Sequence, residues 1–117
     1  MAQDELTLLD WAQEHKGICE YVAFANKCWP AFREVFHFLP CYVHSRLAAR
    51  GIPVGCETDV YGALSQYAAM CLSGSPSALL DINNAPPKDL AEQLCKTVSG
   101  AQRSDFFIGF HCGNTAM

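Results

Sequence analysis

The chain has 117 residues, half of them hydrophobic, and a net charge of −4 with histidine neutral. This length allows one domain with a modest core, and the hydrophobic fraction excludes a disordered chain. No basic run points to nucleic acid, and no apolar run approaches the roughly 20 residues that span a bilayer. We therefore expect neither a nucleic-acid nor a membrane partner, and the acidic N-terminus does not resemble a signal peptide.

Seven cysteines are present, an odd number, and no Cys-x-x-Cys pair occurs among them. Zinc clusters and disulfide frameworks are both disfavoured by this pattern. Most of the cysteines lie inside apolar stretches, with Cys71 and Cys95 on helix faces and Cys19 in a strand. The pattern predicts buried, reduced thiols in a cytoplasmic protein.

Helical periodicity and β-favouring apolar runs alternate along the chain. Glycines at 17 and 51 are natural helix stops, and Pro30 can start a helix. The predicted elements are helix 4–16, strand 18–25, helices 31–38 and 41–50, strand 52–57, helix 59–72, strand 77–82, helix 88–98 and strand 106–111.

This alternation predicts an α/β fold, with a mostly parallel sheet flanked by helices in a partial Rossmann-like domain. Residues 1–117 would form a single α/β domain or a fragment of a larger protein. The last strand is rich in phenylalanine and no helix follows to cover it. We therefore expect either a piece of a longer polypeptide or an obligate homo-oligomer.

Three strand exits carry polar side chains that suit a divalent metal. Glu57 ends one apolar strand, Asp81 ends the next, and His111 follows the last. Ligands of parallel α/β proteins bind outside the carboxyl ends of strands, so these groups are expected to converge. Two carboxylates and an imidazole form a metal-binding constellation.

Structural interpretations stand beside these functional ones. Glu57 could cap the helix that follows it, although Asp59 is the best N-cap candidate. Asp81 with the asparagines at 83 and 84 could form a turn and cap cluster. His111 could be a hydrogen-bonded structural residue.

Other candidate residues have weaker patterns. Trp29 follows a predicted strand and could stack on a bound ligand or pack internally. Asn83, two residues after Asp81, is a second candidate substrate contact. His15, His37 and His44 have no partner pattern and are expected to be surface or helix residues.

The segment from Gly51 to Ser65 contains the motif Cys-Glu-Thr-Asp-Val-Tyr-Gly-Ala-Leu, and it resembles the L-fucose isomerase/L-arabinose isomerase family, most closely its fucose-isomerase-like branch. Further pieces occur in the family's order over residues 27–114. They are Lys-Cys-Trp-Pro at 27–30, Pro-Cys at 40–41, Ser-Arg-Leu at 45–47, Leu-Leu-Asp-Ile-Asn-Asn at 79–84 and Gly-Phe-His-Cys-Gly-Asn at 109–114.

The resemblance implies a divalent metal, commonly Mn²⁺, held by Glu57 and Asp81. The fucose-isomerase histidine has no counterpart here, and His111 is similar to the arabinose-isomerase histidine that follows the second acidic ligand. Members of the family are much longer and build active sites between subunits. The resemblance covers the end of their second domain and the start of their third.

The function implied is metal-dependent aldose–ketose isomerisation, with Glu57 and Asp81 as catalytic acid/base residues as well as ligands. This chain would carry part of the metal site and be inactive alone. The alternative is a non-catalytic α/β module or fragment that oligomerises through its apolar surface. A third interpretation is a small α/β domain that binds another ligand at its strand exits, and no Gly-rich phosphate loop supports a nucleotide.

Overall fold

The computed structural model describes residues 1–111 of the chain. Within that range the backbone forms two compact units, Met1–Leu79 and Leu80–His111. The first unit holds helices α1 (Ala2–His15), α2 (Arg33–Phe36), α3 (Cys41–Ala48) and α4 (Val60–Ser73), and strands β1 (Phe24–Ala25) and β2 (Val54–Gly55). The second unit holds, in chain order, strand β3 (Asp81–Asn83), helix α5 (Lys88–Thr97) and strand β4 (Ile108–Phe110).

The core of the first unit lies between α1, α3 and β2. Its buried side chains are Leu8, Val43, Leu47 and Val54. An ion pair closes one side of this core, because the Glu5 carboxylate on α1 contacts the Arg46 guanidinium on α3 at 2.6 Å. The apolar stripes of two amphipathic helices therefore cover one face of a short strand.

Glycines follow three of the four helices of the first unit, and two of them, Gly17 and Gly51, are stops that the sequence predicts. Gly17 follows α1 with φ 57°, Gly51 follows α3 with φ 83° and Gly74 follows α4 with φ 65°. These left-handed conformations favour glycine because it has no Cβ atom. Helix α4 starts one residue after Asp59, whose side chain accepts a hydrogen bond from the Gly62 amide at 2.8 Å.

The two strands of the first unit are parallel. Phe24 lies opposite Val54 and Ala25 opposite Gly55. Both strands contain only two residues, much shorter than the predicted runs of 18–25 and 52–57. The other apolar positions of the two predicted runs, including Tyr21, Val22 and Ile52, lie outside any strand.

The second unit contains an antiparallel pair of strands. Asp81 lies opposite Phe110, Ile82 opposite Gly109 and Asn83 opposite Ile108. The fold thus mixes helices and strands, but its described residues form two separate two-stranded sheets and not the mostly parallel sheet that the sequence predicts. Apolar periodicity identifies a strand without specifying its direction, so the antiparallel pairing was not foreseeable from the pattern.

The cysteines divide between the interior and the surface. Cys28, Cys41 and Cys56 are buried, Cys95 is intermediate, and Cys19 and Cys71 are exposed. The prediction of buried thiols therefore holds for three of the described cysteines, and Cys19 lies outside any strand. No helix within residues 1–111 has the length and apolar character that a membrane span requires.

Candidate functional site

The carboxyl ends of β1 and β2 lie side by side and form the centre of the candidate site. Asn26 follows β1, and its backbone N–H donates to the Gly55 carbonyl at 2.8 Å. Cys56 follows β2 directly. Because the strands are parallel, residues that leave them emerge at the same edge, where ligands of α/β proteins bind.

The chain makes a tight turn after β2. Glu57 and Thr58 have left-handed backbones, with φ 55° and φ 63°. Two consecutive non-glycine residues with left-handed backbones are uncommon. Each conformation is about 1–2 kcal/mol less favourable than the right-handed one. Hydrogen bonds hold the turn: the Thr58 amide donates to the Asn26 carbonyl at 3.1 Å, and the Asp59 amide donates to the Cys56 carbonyl at 2.9 Å.

The carboxylate of Glu57 is exposed and makes no hydrogen bond or ion pair within residues 1–111. The cap of α4 is Asp59, as the sequence predicts, so the alternative in which Glu57 caps this helix is wrong. The turn therefore presents an unpaired carboxylate to solvent at a strand exit. Carboxylate oxygens of this kind are suitable ligands for Mg²⁺ or Mn²⁺.

The second unit places Asp81 and His111 at the same end of one strand pair. Asp81 is exposed and is the first residue of β3, whereas the sequence predicts it at the end of a strand over 77–82. Its partner across the pair is Phe110, and His111 is the next residue. Antiparallel pairing thus places Asp81 near His111. These are two of the three predicted metal ligands, and they lie thirty positions apart in the chain.

The convergence of Glu57 with Asp81 stays a prediction. This convergence is expected of neighbouring parallel strands, but β2 pairs with β1 whereas β3 pairs with β4. Glu57 belongs to the first unit and Asp81 to the second. Within the described range of the chain, no three His, Cys, Asp or Glu side chains group closely enough to hold a metal ion.

The two predicted substrate contacts have partners of their own. Trp29 is 48% exposed, and the Arg33 guanidinium lies over its indole ring, 5.1 Å from the centroid. This cation–π contact covers one face of the indole ring. Asn83 accepts a hydrogen bond from the Ala85 amide at 2.9 Å, which is the turn geometry considered as its structural alternative.

The sequence pattern did not identify His44 as a buried residue with polar contacts. This residue lies on α3 and is completely buried. Its Nε2 atom lies 3.1 Å from Asn26 Nδ2, and its Nδ1 atom lies 3.5 Å from Cys56 Sγ. The available signal was its position on an apolar helix face, three residues after Cys41 and four before Ala48.

An aromatic groove of about 580 Å³ runs beside the same end of β1. Its walls carry the rings of five aromatic residues and the carboxyl group of Asp4. Burial raises the pKa of the Asp4 carboxyl, because the charged form loses contact with water. The aromatic residues of the groove are Trp11, Phe24, Phe32, Phe36 and Phe38.

Comparison with known proteins finds sequence similarity over part of the length of several sugar isomerases. The chain is similar to sulfoquinovose isomerases. It is 31% identical to that of Priestia aryabhattai over 103 residues, which are 88% of this chain and 20% of the relative. It is 30% identical to that of Alkalicoccus urumqiensis over 84 residues, or 67% of this chain and 19% of the relative. A shorter match, 40% identical over 55 residues, covers 47% of this chain and 12% of the sulfoquinovose isomerase of Clostridium sp. (strain MSTE9).

Each match covers only a small part of the relative. The chain spans a fifth or less of the length of these relatives. No protein-family model and no solved structure matches it. The chain is therefore similar to one part of these sugar isomerases.

Proposed function

We propose that the chain contributes part of the metal site of an aldose–ketose isomerase of the fucose-isomerase-like kind. The observation that carries the proposal is the Glu57 carboxylate, which an unusual left-handed turn presents unpaired at the exit of β2. Asp81, also exposed and unpaired within residues 1–111, is the second proposed ligand. His111, close to Asp81 at the end of the strand pair, is the third.

The donor chemistry suits a hard divalent cation such as Mn²⁺. Two carboxylates supply oxygen ligands, and an imidazole shifts preference towards Mn²⁺ over Mg²⁺. When bound, such an ion supplies Lewis-acid stabilisation of negative charge on a sugar oxygen. No group of three potential ligands is close together in the described part of the chain, so we propose that the site is completed in a larger assembly.

In the proposed reaction, carboxylates of this chain transfer the protons. Aldose–ketose interconversion moves one proton between C1 and C2 and another between O1 and O2. A carboxylate within hydrogen-bond reach of both carbons can accept the first proton and return it. We assign this acid/base role to Glu57 and Asp81. The substrate is proposed to be an aldose sugar, and the half-exposed indole of Trp29 and the Asn83 amide are its proposed contacts.

We propose that the protein is located in the cytoplasm. All six described cysteines are free of disulfides, three of them in the interior, as expected of a reducing compartment. Assembly into a homo-oligomer is part of the same proposal, because isomerase sites of the resembling family are shared between subunits.

The test measures Mn²⁺ binding to the 117-residue chain. Binding to the native state raises its stability by mass action, by about 2.7 kcal/mol at an ion concentration one hundred times Kd. Thermal melting with increasing MnCl₂ should therefore show a saturable rise in Tm. Glu57→Gln should abolish this rise, whereas Glu34→Gln, a matched exposed glutamate on α2, should keep it.

Isomerase activity is tested on the same samples. We expect turnover of an aldose such as L-fucose, D-arabinose or sulfoquinovose only when the remaining parts of the site are supplied by a longer polypeptide. In that context Glu57→Gln should eliminate turnover. Full turnover by the Glu57→Gln variant, with Mn²⁺ present, rejects the assigned role.

A second candidate is a non-catalytic module that assembles through apolar surface. The observation that favours it is the exposure of large apolar side chains beside the aromatic groove, including Trp11 at 53% and Phe36 at 57%. Surfaces of this kind are typical of protein interfaces. Light scattering that gives a dimer or larger species, together with no response of Tm to Mn²⁺, Mg²⁺, Co²⁺ or Zn²⁺, favours the module over the isomerase.

A further inference from the structure

His44 connects the two strand exits through one buried imidazole ring. Its Nε2 atom is 3.1 Å from the Asn26 side chain after β1, and its Nδ1 atom is 3.5 Å from the Cys56 thiol after β2. The ring has no exposed surface. A buried polar ring with both nitrogens in contact with polar groups is held in one orientation, because turning it would break both contacts.

The partners define which nitrogen carries the proton. Asn26 Nδ2 is an amide donor, so His44 Nε2 accepts from it and must be unprotonated. The proton of the neutral ring is then on Nδ1, which donates towards Cys56 Sγ. The imidazole therefore acts as an acceptor at the β1 exit and as a donor at the β2 exit.

Backbone hydrogen bonds join Asn26 to the turn that contains Glu57. Its backbone N–H donates to the Gly55 carbonyl, two residues before Glu57. Its carbonyl accepts from the Thr58 amide, one residue after Glu57. The backbone of Glu57 is thus spanned by two hydrogen bonds to a single residue, and that residue's side chain is held by His44.

We propose that His44 is a positioning residue that sets the backbone of Glu57 for metal binding through Asn26 and Cys56. The part of this inference that concerns metal binding rests on the proposed function. The part that concerns the conformation of the turn rests on the geometry alone. The left-handed conformation of Glu57 is costly, and the buried contacts of His44 stabilise it. His44 itself contacts neither the metal nor the sugar.

The test compares local opening of the turn with local opening of the adjoining helix, in the metal-free chain. Amide hydrogen exchange followed by NMR reports the Thr58 amide, which bonds to Asn26, and the Gly62 amide, which bonds to Asp59. His44→Leu should speed Thr58 exchange about tenfold relative to Gly62, the effect of losing a hydrogen bond. His44→Gln, whose amide oxygen can still accept from Asn26, should stay within about twofold of the wild type.

Two further variants make the result decisive. Asn26→Ala removes the side chain that His44 holds, without changing the buried helix face, and should match His44→Leu. If His44→Leu fails to fold, Asn26→Ala decides the question. His15→Gln, an exposed histidine on α1, is the matched control and should leave the exchange ratio unchanged.

The outcomes separate positioning from general stability and from the proposed function. A residue with only a general packing role would speed Thr58 and Gly62 exchange together, and an unchanged ratio in Asn26→Ala overturns the inference. On the same samples, electron paramagnetic resonance of Mn²⁺ should show about tenfold weaker binding for His44→Leu than for His44→Gln. Absence of Mn²⁺ binding by the wild type rejects the metal proposal, whereas the exchange ratio still tests the role of His44 in the turn.

Discussion

Glu5 on α1 and Arg46 on α3 form a short ion pair, with Glu5 Oε2 accepting from Arg46 Nε at 2.6 Å. A second guanidinium, that of Arg50, lies 3.1 Å from Glu5 Oε1. The Arg46 hydrogen bond holds the pKa of the Glu5 carboxyl below its usual 4.5, and the positive charges of Arg46 and Arg50 add to the effect. The pair joins two helices that share a core.

Glu5→Gln should lower the free energy of unfolding by about 1 kcal/mol at pH 7, since both guanidinium groups are partly exposed and water screens the attraction. The lowered pKa means that the stabilisation is present above pH 4.5 and is lost as pH falls through the lowered value. The difference between wild type and variant should therefore shrink in acid. Urea unfolding at several pH values measures it, with Glu14→Gln, an exposed glutamate on the same helix, as the control.

Gly55→Ala should destabilise the first unit by about 1–3 kcal/mol, because the added methyl group has no room. A Cβ atom at this position would lie 2.5 Å from the Asp59 carbonyl and 3.0 Å from Ala63. The φ angle of −70° is one that alanine adopts, so the cost comes from space alone. Thermal unfolding followed by circular dichroism measures the change.

Gly109→Ala is the comparison for this prediction. Its added Cβ atom would approach only the Leu80 side chain, at 3.0 Å from the Cδ1 atom, and that side chain can rotate away. We expect a loss in Tm smaller than that of Gly55→Ala. An equal loss would contradict the explanation from close backbone approach.

Asp59→Ala should cost about 1 kcal/mol, because the first turn of α4 loses the oxygen that accepts from the Gly62 amide. Asp59→Asn keeps an acceptor at the same position and should retain most of the stability. Chemical denaturation of the two variants tests this pair. Equal losses in both would show that the charge, and not the cap, is what α4 needs.

Several local features of the fold follow directly from the sequence. The cap at Asp59 and the left-handed glycines after α1 and α3 were predicted because caps and stops depend on residues within one turn of the helix end. The four longest helices appear within a few residues of their predicted bounds. Candidate ligands at Glu57 and Asp81 were also identifiable, since an acidic residue at the edge of an apolar run is a local pattern.

Strand length and direction depended on contacts distant in the chain. Asp81 begins β3 because its partner is Phe110, twenty-nine positions later, in an antiparallel pair. A single-strand pattern contains no information about that partner or its direction. The same reason explains why the runs at 18–25 and 52–57 form only two-residue strands.

The amino-acid sequence by itself determined where the helices start and stop and which acidic side chains are candidates for chemistry, because those properties depend on near neighbours. Only the tertiary structure decided that His44 is buried between Asn26 and Cys56 and that Glu57 adopts a left-handed turn. Both properties depend on packing α3 against the ends of two parallel strands. Local periodicity does not encode which distant residues that packing brings into hydrogen-bond distance.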